Sequence, residues 1–182
     1  FDSTFGEHWE IWSSSEYSSW VIGDSSDATG STGATSEGSY KIPEHPDSAG
    51  TFAYVSDGRN AGHGAFDTWL MTPYLDFSHM EGGEHEGHRS GVVSFDGFAQ
   101  VYADWNVSYG LAKLYVKVQS EDLHEVVNVK YDHNAGWDWE AIDVADIVGY
   151  QDRVQFLFYY SYTGKNSSGN GMAIDDFTVE TL

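Results

Sequence analysis

The sequence predicts an all-β fold, an antiparallel sandwich or jelly roll, and three observations point there. Seven Trp, twelve Tyr and ten Phe make the 182-residue chain 16% aromatic, and aromatic and β-branched residues suit pleated, half-buried surfaces. Apolar and polar residues alternate with period two through most of the second half, the signature of antiparallel sheets with one wet side. No long stretch shows a helical period. Several such segments separated by polar turns read as a sandwich, and the length supports one domain with a real core, residues 1–182.

The closing stretch, 137–182, organises the rest. Trp137 and Trp139 lead into Ile142, Asp143 and Val144. A strand then runs from Val154 to Tyr162, with Val154, Phe156, Phe158, Tyr160 and Tyr162 on one face. After a Gly/Ser/Asn loop the chain ends in Met172-Ala173-Ile174-Asp175-Asp176-Phe177-Thr178-Val179, an apolar strand interrupted by two carboxylates. Burying charge is costly unless it is paired or metal-bound.

Upstream, 24–50 is rich in Ser, Gly, Asp and Thr without periodicity and reads as a long loop or insertion. Thr51 to Val55 is a strand. Asp67-Thr68-Trp69-Leu70-Met71-Thr72-Pro73 leads into Leu75-Asp76-Phe77-Ser78, where Asp76 is expected to cap a turn. His79, His85 and His88 lie in a Glu/Gly-rich loop that offers imidazoles to Zn²⁺ but is better read as a solvated hairpin loop. Val93, Phe95, Val101 and Ala103 form an alternating region with a break at Gly97. Ala112, Leu114, Val116 and Val118 oppose Lys113, Tyr115, Lys117 and Gln119, and Val127, Val129 and Tyr131 continue the pattern. Opposite the Phe/Tyr face of 154–162 lie Gln155, Leu157, Tyr159 and Ser161. With Tyr115, Lys113 and Lys117 they can line a solvent-facing sheet surface, suited to stacking sugars or other amphipathic ligands. The competing expectation is that a segment such as 24–50 covers that face.

Charge excludes several functions. Twenty-nine acidic residues against eight basic ones give a formal net charge of −21, so neither phosphate neutralisation on nucleic acid nor attraction to anionic lipid is expected. The acidity reads as solubility in a salty medium, or as carboxylates that bind Ca²⁺. Cysteine is absent, which removes disulfides and thiolate metal sites. No apolar run reaches the ~18 residues of a membrane span. No G-x-S-x-G, P-loop or dinucleotide fingerprint occurs.

The runs W-x-x-x-x-I-D-V…V-x-F-x-F-x-Y…G-M-A-I-D-D-F and D-x-W-L-x-T-P-x-L-D-F-S, with Phe1-Asp2, Trp9 and Trp20-Val21-Ile22 at the start, together resemble the MAM-like jelly-roll superfamily. Its bacterial members include the cleaved-adhesin (gingipain haemagglutinin) and choice-of-anchor J domains. Met172-Ala173 departs mildly from the Trp-hydrophobic pair usual there. The resemblance implies a jelly-roll β-sandwich and a non-catalytic adhesion or binding module, secreted or at the cell surface, within a larger bacterial polypeptide. A glycan or protein would be its partner. It also implies structural Ca²⁺ held by Asp2, Asp57, Asp67 and Asp176, with Asp175 a weaker candidate because strand neighbours point to opposite faces. The ligand face would be Tyr115, Leu157, Tyr159, Lys113 and Lys117. A structural spacer and a polysaccharide hydrolase with paired carboxylates are the alternatives.

Overall fold

The computed structural model describes residues 8–24, 52–55, 64–78, 91–100, 103–104, 107–108, 110–119, 123–128, 138–148, 151–162 and 171–181. They form an antiparallel jelly-roll β-sandwich. One five-stranded sheet, the front sheet, has the order β1 (Glu10–Ser13), β4 (Phe66–Met71), β11 (Val154–Tyr162), β8 (Gly110–Val118), β9 (Leu123–Asn128). The other, the back sheet, runs β10 (Asp138–Asp143), β5 (Gly91–Gln100), β12 (Gly171–Thr181), β3 (Phe52–Val55), β2 (Val21–Gly23). A small ribbon joins β6 (Ala103–Asp104) to β7 (Val107–Ser108), and one turn of helix, α1 (Ala145–Val148), follows β10. No helix among the described residues is long and apolar enough to cross a membrane.

The closing stretch supplies the middle strand of each sheet: β11 in the front, β12 in the back. Period two explains how they meet. Val154, Phe156, Phe158, Tyr160 and Tyr162 of β11 are all buried, with Leu114, Val116 and Val118 of β8 and Phe66 and Leu70 of β4 beside them. Ala53, Val55, Met172 and Ile174 close the core from the back sheet. Phe177 packs edge-on against Phe156 at 5.7 Å and Phe158 at 5.4 Å, and its other contact is Trp9 at 5.9 Å. One closing-strand ring therefore ties the N-terminal segment to both sheets.

β12 does not keep a single phase. Asp175 pairs with Asp96 and Thr178 with Ser94, so β12 carries one extra residue there. Such a bulge bends the strand and interrupts alternation. Met172 and Ile174 join the core before it, Phe177 and Val179 after it. The acidic pair occupies the break. The expectation that Asp175 and Asp176 take opposite faces rested on unbroken alternation, which the extra residue interrupts; the side chain of Asp176 lies outside the described residues. Gly97, in contrast, does not interrupt its strand: β5 is continuous through it and pairs there with Ile174 and Asp138.

The Thr-Pro step after β4 has a structural cause. The Thr72 N–H donates to the Phe156 carbonyl at 2.9 Å, and its Oγ1 accepts from the Phe156 N–H at 3.0 Å. The Gln155 side-chain amide donates to the Thr72 carbonyl at 2.9 Å. Thr72 thus carries the ladder past the strand end, where Pro73 has no N–H to give. Thr72→Val keeps the shape and strands the buried Phe156 N–H, so stability should fall by about 1–3 kcal/mol, read from urea midpoints; no change would mean that water replaces the hydroxyl. Asp76 caps its turn as expected, accepting from the Ser78 N–H at 2.8 Å.

Candidate functional site: an aromatic face on the front sheet

The side of the front sheet turned away from the core is built in rows. Cross-strand partners share a face, and the register places Trp12, Trp69, Tyr159 and Lys113 in one row. Glu10, Met71, Leu157 and Tyr115 form the next, and Gln155 and Lys117 the one after. The front faces of β8 and β11 expected from alternation are therefore present together: Lys113, Tyr115, Lys117, Leu157 and Tyr159 stand on neighbouring strands.

Three rings gather at the centre. Trp69 lies 4.4 Å from Tyr159 and 5.4 Å from Tyr115, centroid to centroid, and the two tyrosines are 6.2 Å apart, edge to face. All three are half-buried. Trp12, on the edge strand in register with Trp69, is 50% exposed. Its strand is held by the Thr68 hydroxyl, which donates to the Trp12 carbonyl at 2.9 Å. The Lys113 ammonium sits 5.9 Å from the Tyr115 ring centre, close enough for attraction to the ring face.

Leu157 departs from the solvent-facing expectation. It is only 6% exposed, flanked in register by Met71 and Tyr115. Gln155 is likewise buried, its amide spent on Thr72. Beyond it the face ends in a cleft of about 410 Å³ lined by His8, Trp9, Glu10, Pro73, Tyr74 and Gln155. The Arg153 guanidinium lies 4.4 Å from the Tyr74 ring centre.

A carboxylate stands at the rim of the rings. Asp67, two residues before Trp69 on the same face, accepts a 2.6 Å hydrogen bond from the Tyr159 hydroxyl. Its backbone is clamped to Ser14, whose Oγ accepts from the Asp67 N–H at 2.8 Å and whose N–H donates to the Asp67 carbonyl at 2.9 Å. Burial pushes the Tyr159 phenol above its ordinary value, and the bond to Asp67 adds to the shift. The folded state thus holds this proton more tightly than the unfolded chain. The stability it contributes is complete below the ordinary tyrosine value of 10.0 and is lost as pH rises through the higher folded value. Ultraviolet titration should show one late-ionising tyrosine, and Asp67→Asn should bring it down; an unmoved profile would break the coupling.

Of the expected calcium ligands, the structure does not bring Asp67 and Asp175 together. Asp67 faces outward from the front sheet, whereas Asp175 is 1% exposed on β12 in the back sheet. Among the described residues no group of three or more His, Cys, Asp or Glu side chains could hold a metal ion. Asp2, Asp57, the side chain of Asp176, and His79, His85 and His88 lie outside what the structure describes. The face also holds what reading the sequence missed. Trp69 was absorbed into the D-x-W-L run and Trp12 passed over, although alternation against the buried Phe66, Thr68 and Leu70 was there to place Trp69 outside.

No family model matches the chain, and no curated protein does. Solved structures do match in fold. A Stig cyclase, Fisc, from Fischerella sp. TAU, in complex with (3Z)-3-(1-methyl-2-pyrrolidinylidene)-3H-indole, is similar with a TM-score of 0.50 and 10% identity, over 97% of this chain and 85% of that one. A second structure of a cyclase from Fischerella sp. TAU gives the same values, TM-score 0.50, 10% identity, 97% and 85%. These findings correct the resemblance drawn to bacterial cleaved-adhesin domains. With it go the adhesin as a description, the non-catalytic module with a glycan or protein partner, and the spacer and polysaccharide-hydrolase alternatives. Both of these matching proteins are cyclases, one of them holding a small indole compound.

Proposed function

We propose that this chain is an enzyme acting on a small, flat aromatic molecule, which it holds on the front face while closing a ring in it. One observation carries the reading: Trp69, Tyr115 and Tyr159 form a half-buried aromatic surface with a positioned carboxylate, Asp67, at its rim. That the matching structures are of cyclases supports the reaction class, and the indole compound in one of them supports the kind of ligand.

The chemistry follows from what these groups do well. Ring faces attract positive charge, and a carboxylate that already accepts a hydrogen bond from the Tyr159 hydroxyl at 2.6 Å is oriented as a proton acceptor. In a redox-neutral closure a proton taken from the medium adds to a substrate π bond, and a second π bond attacks the cation to make a carbon–carbon bond. A neighbouring C–H then loses its proton to Asp67. One proton enters and one leaves, so the product is an isomer of the substrate and no oxidant is consumed. The rings shield the cationic centre from water, and Leu157 and Met71 floor the site beside them.

The test is to offer alkenyl-substituted indoles and look for a product of unchanged mass with one double bond fewer. Binding is followed in parallel by calorimetry. Trp69→Ala should weaken binding about 30-fold, as loss of a central aromatic anchor worth ~2 kcal/mol does. No binding of any flat aromatic, together with no isomer, would end this proposal.

A further inference from the structure

The front face does not stop at its rings. Two residues from Leu157 on β11, about 7 Å along the same side, Gln155 marks where the face opens into the cleft of about 410 Å³. That volume lies in the roughly 300–1,000 Å³ range of small-molecule sites. Trp9, Pro73 and Tyr74 give the cleft apolar walls, and Trp9 is set against the Phe177 ring at 5.9 Å. The buried polar group is Gln155, 3% exposed. Its Nε2 donates to the Thr72 carbonyl at 2.9 Å, which fixes the amide's orientation, because a carbonyl on that side needs an N–H. The Oε1 is turned the other way and makes no hydrogen bond with any described residue. A buried side-chain acceptor is ordinarily satisfied.

Charge does not choose a ligand here. Glu10 lines the cleft, Arg153 stacks on Tyr74 at 4.4 Å, and Lys117 stands in register with Gln155, so either sign meets its like. Hydrogen-bond direction does choose. Gln155 Oε1 and the Glu10 carboxylate only accept, while the His8 imidazole and the Tyr74 hydroxyl can donate or accept.

We infer that the cleft is a second subsite of this face, which takes an uncharged arm of the ligand ending in an N–H donor, of the carboxamide kind, with Gln155 Oε1 as its acceptor. This rests on the reading of the face as a platform for a flat aromatic molecule, and it names the substrate class: an aromatic ring carrying an amide-type N–H on an arm of a few bonds. An arm that ends in acceptors alone would strip water from Oε1 and return no proton, which is how a site built for a donor rejects an analogue without one. The anchor also sets direction. Gln155 and Ser161, the register partner of Asp67, lie towards opposite ends of β11, with Tyr159 between them. An arm held at Gln155 leaves the far edge of the ring system towards Asp67, the proton acceptor.

The probes are 3-methylindole, indole-3-acetamide, its N,N-dimethyl derivative and methyl indole-3-acetate, titrated calorimetrically into the full chain. All are uncharged and share one ring system, and the last two keep the side-chain carbonyl but lack the amide N–H. The primary amide should bind about tenfold more tightly than the methyl ester, the worth of one buried hydrogen bond, and the dimethyl amide should bind like the ester. Gln155→Met keeps the length and removes the acceptor, so the preference for amide over ester should fall close to one. Circular dichroism checks the fold, since the Thr72 carbonyl loses its donor as well. The inference alone is overturned if 3-methylindole binds, loses affinity in Trp69→Ala, and the amide is held no more tightly than the ester. It is also overturned if the preference survives Gln155→Met. Should that variant not fold, the dimethyl amide decides in the unaltered chain, where binding as tight as that of the primary amide overturns the inference. If no probe binds, the platform reading falls and this one with it.

Discussion

Asp67→Asn should lower turnover of a cyclisable substrate by about 10²-fold or more while leaving its binding nearly unchanged, since general acid–base groups contribute about 10²–10⁴-fold. The asparagine keeps the shape and an oxygen for the Tyr159 hydroxyl, whose bond to Asp67 is 2.6 Å, but it cannot take a proton. A fall in kcat with KM held separates this from damage to the platform, where Trp69→Ala raises KM. Tyr159→Phe is the companion. It removes the hydrogen bond and retains the ring 4.4 Å from Trp69, so a loss of about tenfold is expected from misplacing the carboxylate. Full turnover in Asp67→Asn would remove the residue from the chemistry, and equal losses in kcat and affinity would make it merely structural.

Phe158→Ala should cost about 3–5 kcal/mol, a large share of the roughly 5–15 kcal/mol that holds a typical domain together. Phe158 is fully buried on the middle strand of the front sheet, between Leu70 and Leu114 in register, and meets Phe177 of the back sheet at 5.4 Å. Truncation removes the transfer free energy of the ring and leaves a hole between two sheets that are each held by their own ladders and cannot collapse onto it. Guanidinium unfolding measures the effect, with Phe158→Leu expected to recover most of the loss. A cost under about 1 kcal/mol would mean that the two sheets are not packed through this residue.

How much of this was legible beforehand depended on whether the signal was local. The inward set of β11 and the buried Leu114, Val116 and Val118 follow from period two alone, and so does the assembly of Lys113, Tyr115, Lys117 and Tyr159 on one face. Alternation is a property of each strand, and it survives any arrangement of neighbours. The Asp76 turn is local in the same way. Leu157 defeats the same reasoning: alternation sends it outward, but Met71 and Tyr115 flank it in register. A side chain's exposure depends on the size of its neighbours as well as on its direction. Asp175 and Asp176 defeat it differently, since one extra residue in β12 resets the phase and no composition announces a bulge.

The functional expectation failed for a physical reason as well. Short ordered motifs such as D-x-W-L-x-T-P-x-L-D describe how a strand ends and turns. The Thr72 and Asp76 hydrogen bonds show those residues serving that geometry, which many sandwiches need whatever they bind. What the amino-acid order determined by itself was an all-β chain whose closing stretch carries two apolar strands; that each is the middle strand of its sheet came from the topology. Only the tertiary structure decided that Trp69, from the first half of the chain, meets Tyr115 and Tyr159 from the second, with Asp67 against the Tyr159 hydroxyl. Register between strands far apart in sequence sets those distances, and register belongs to the assembled sheet.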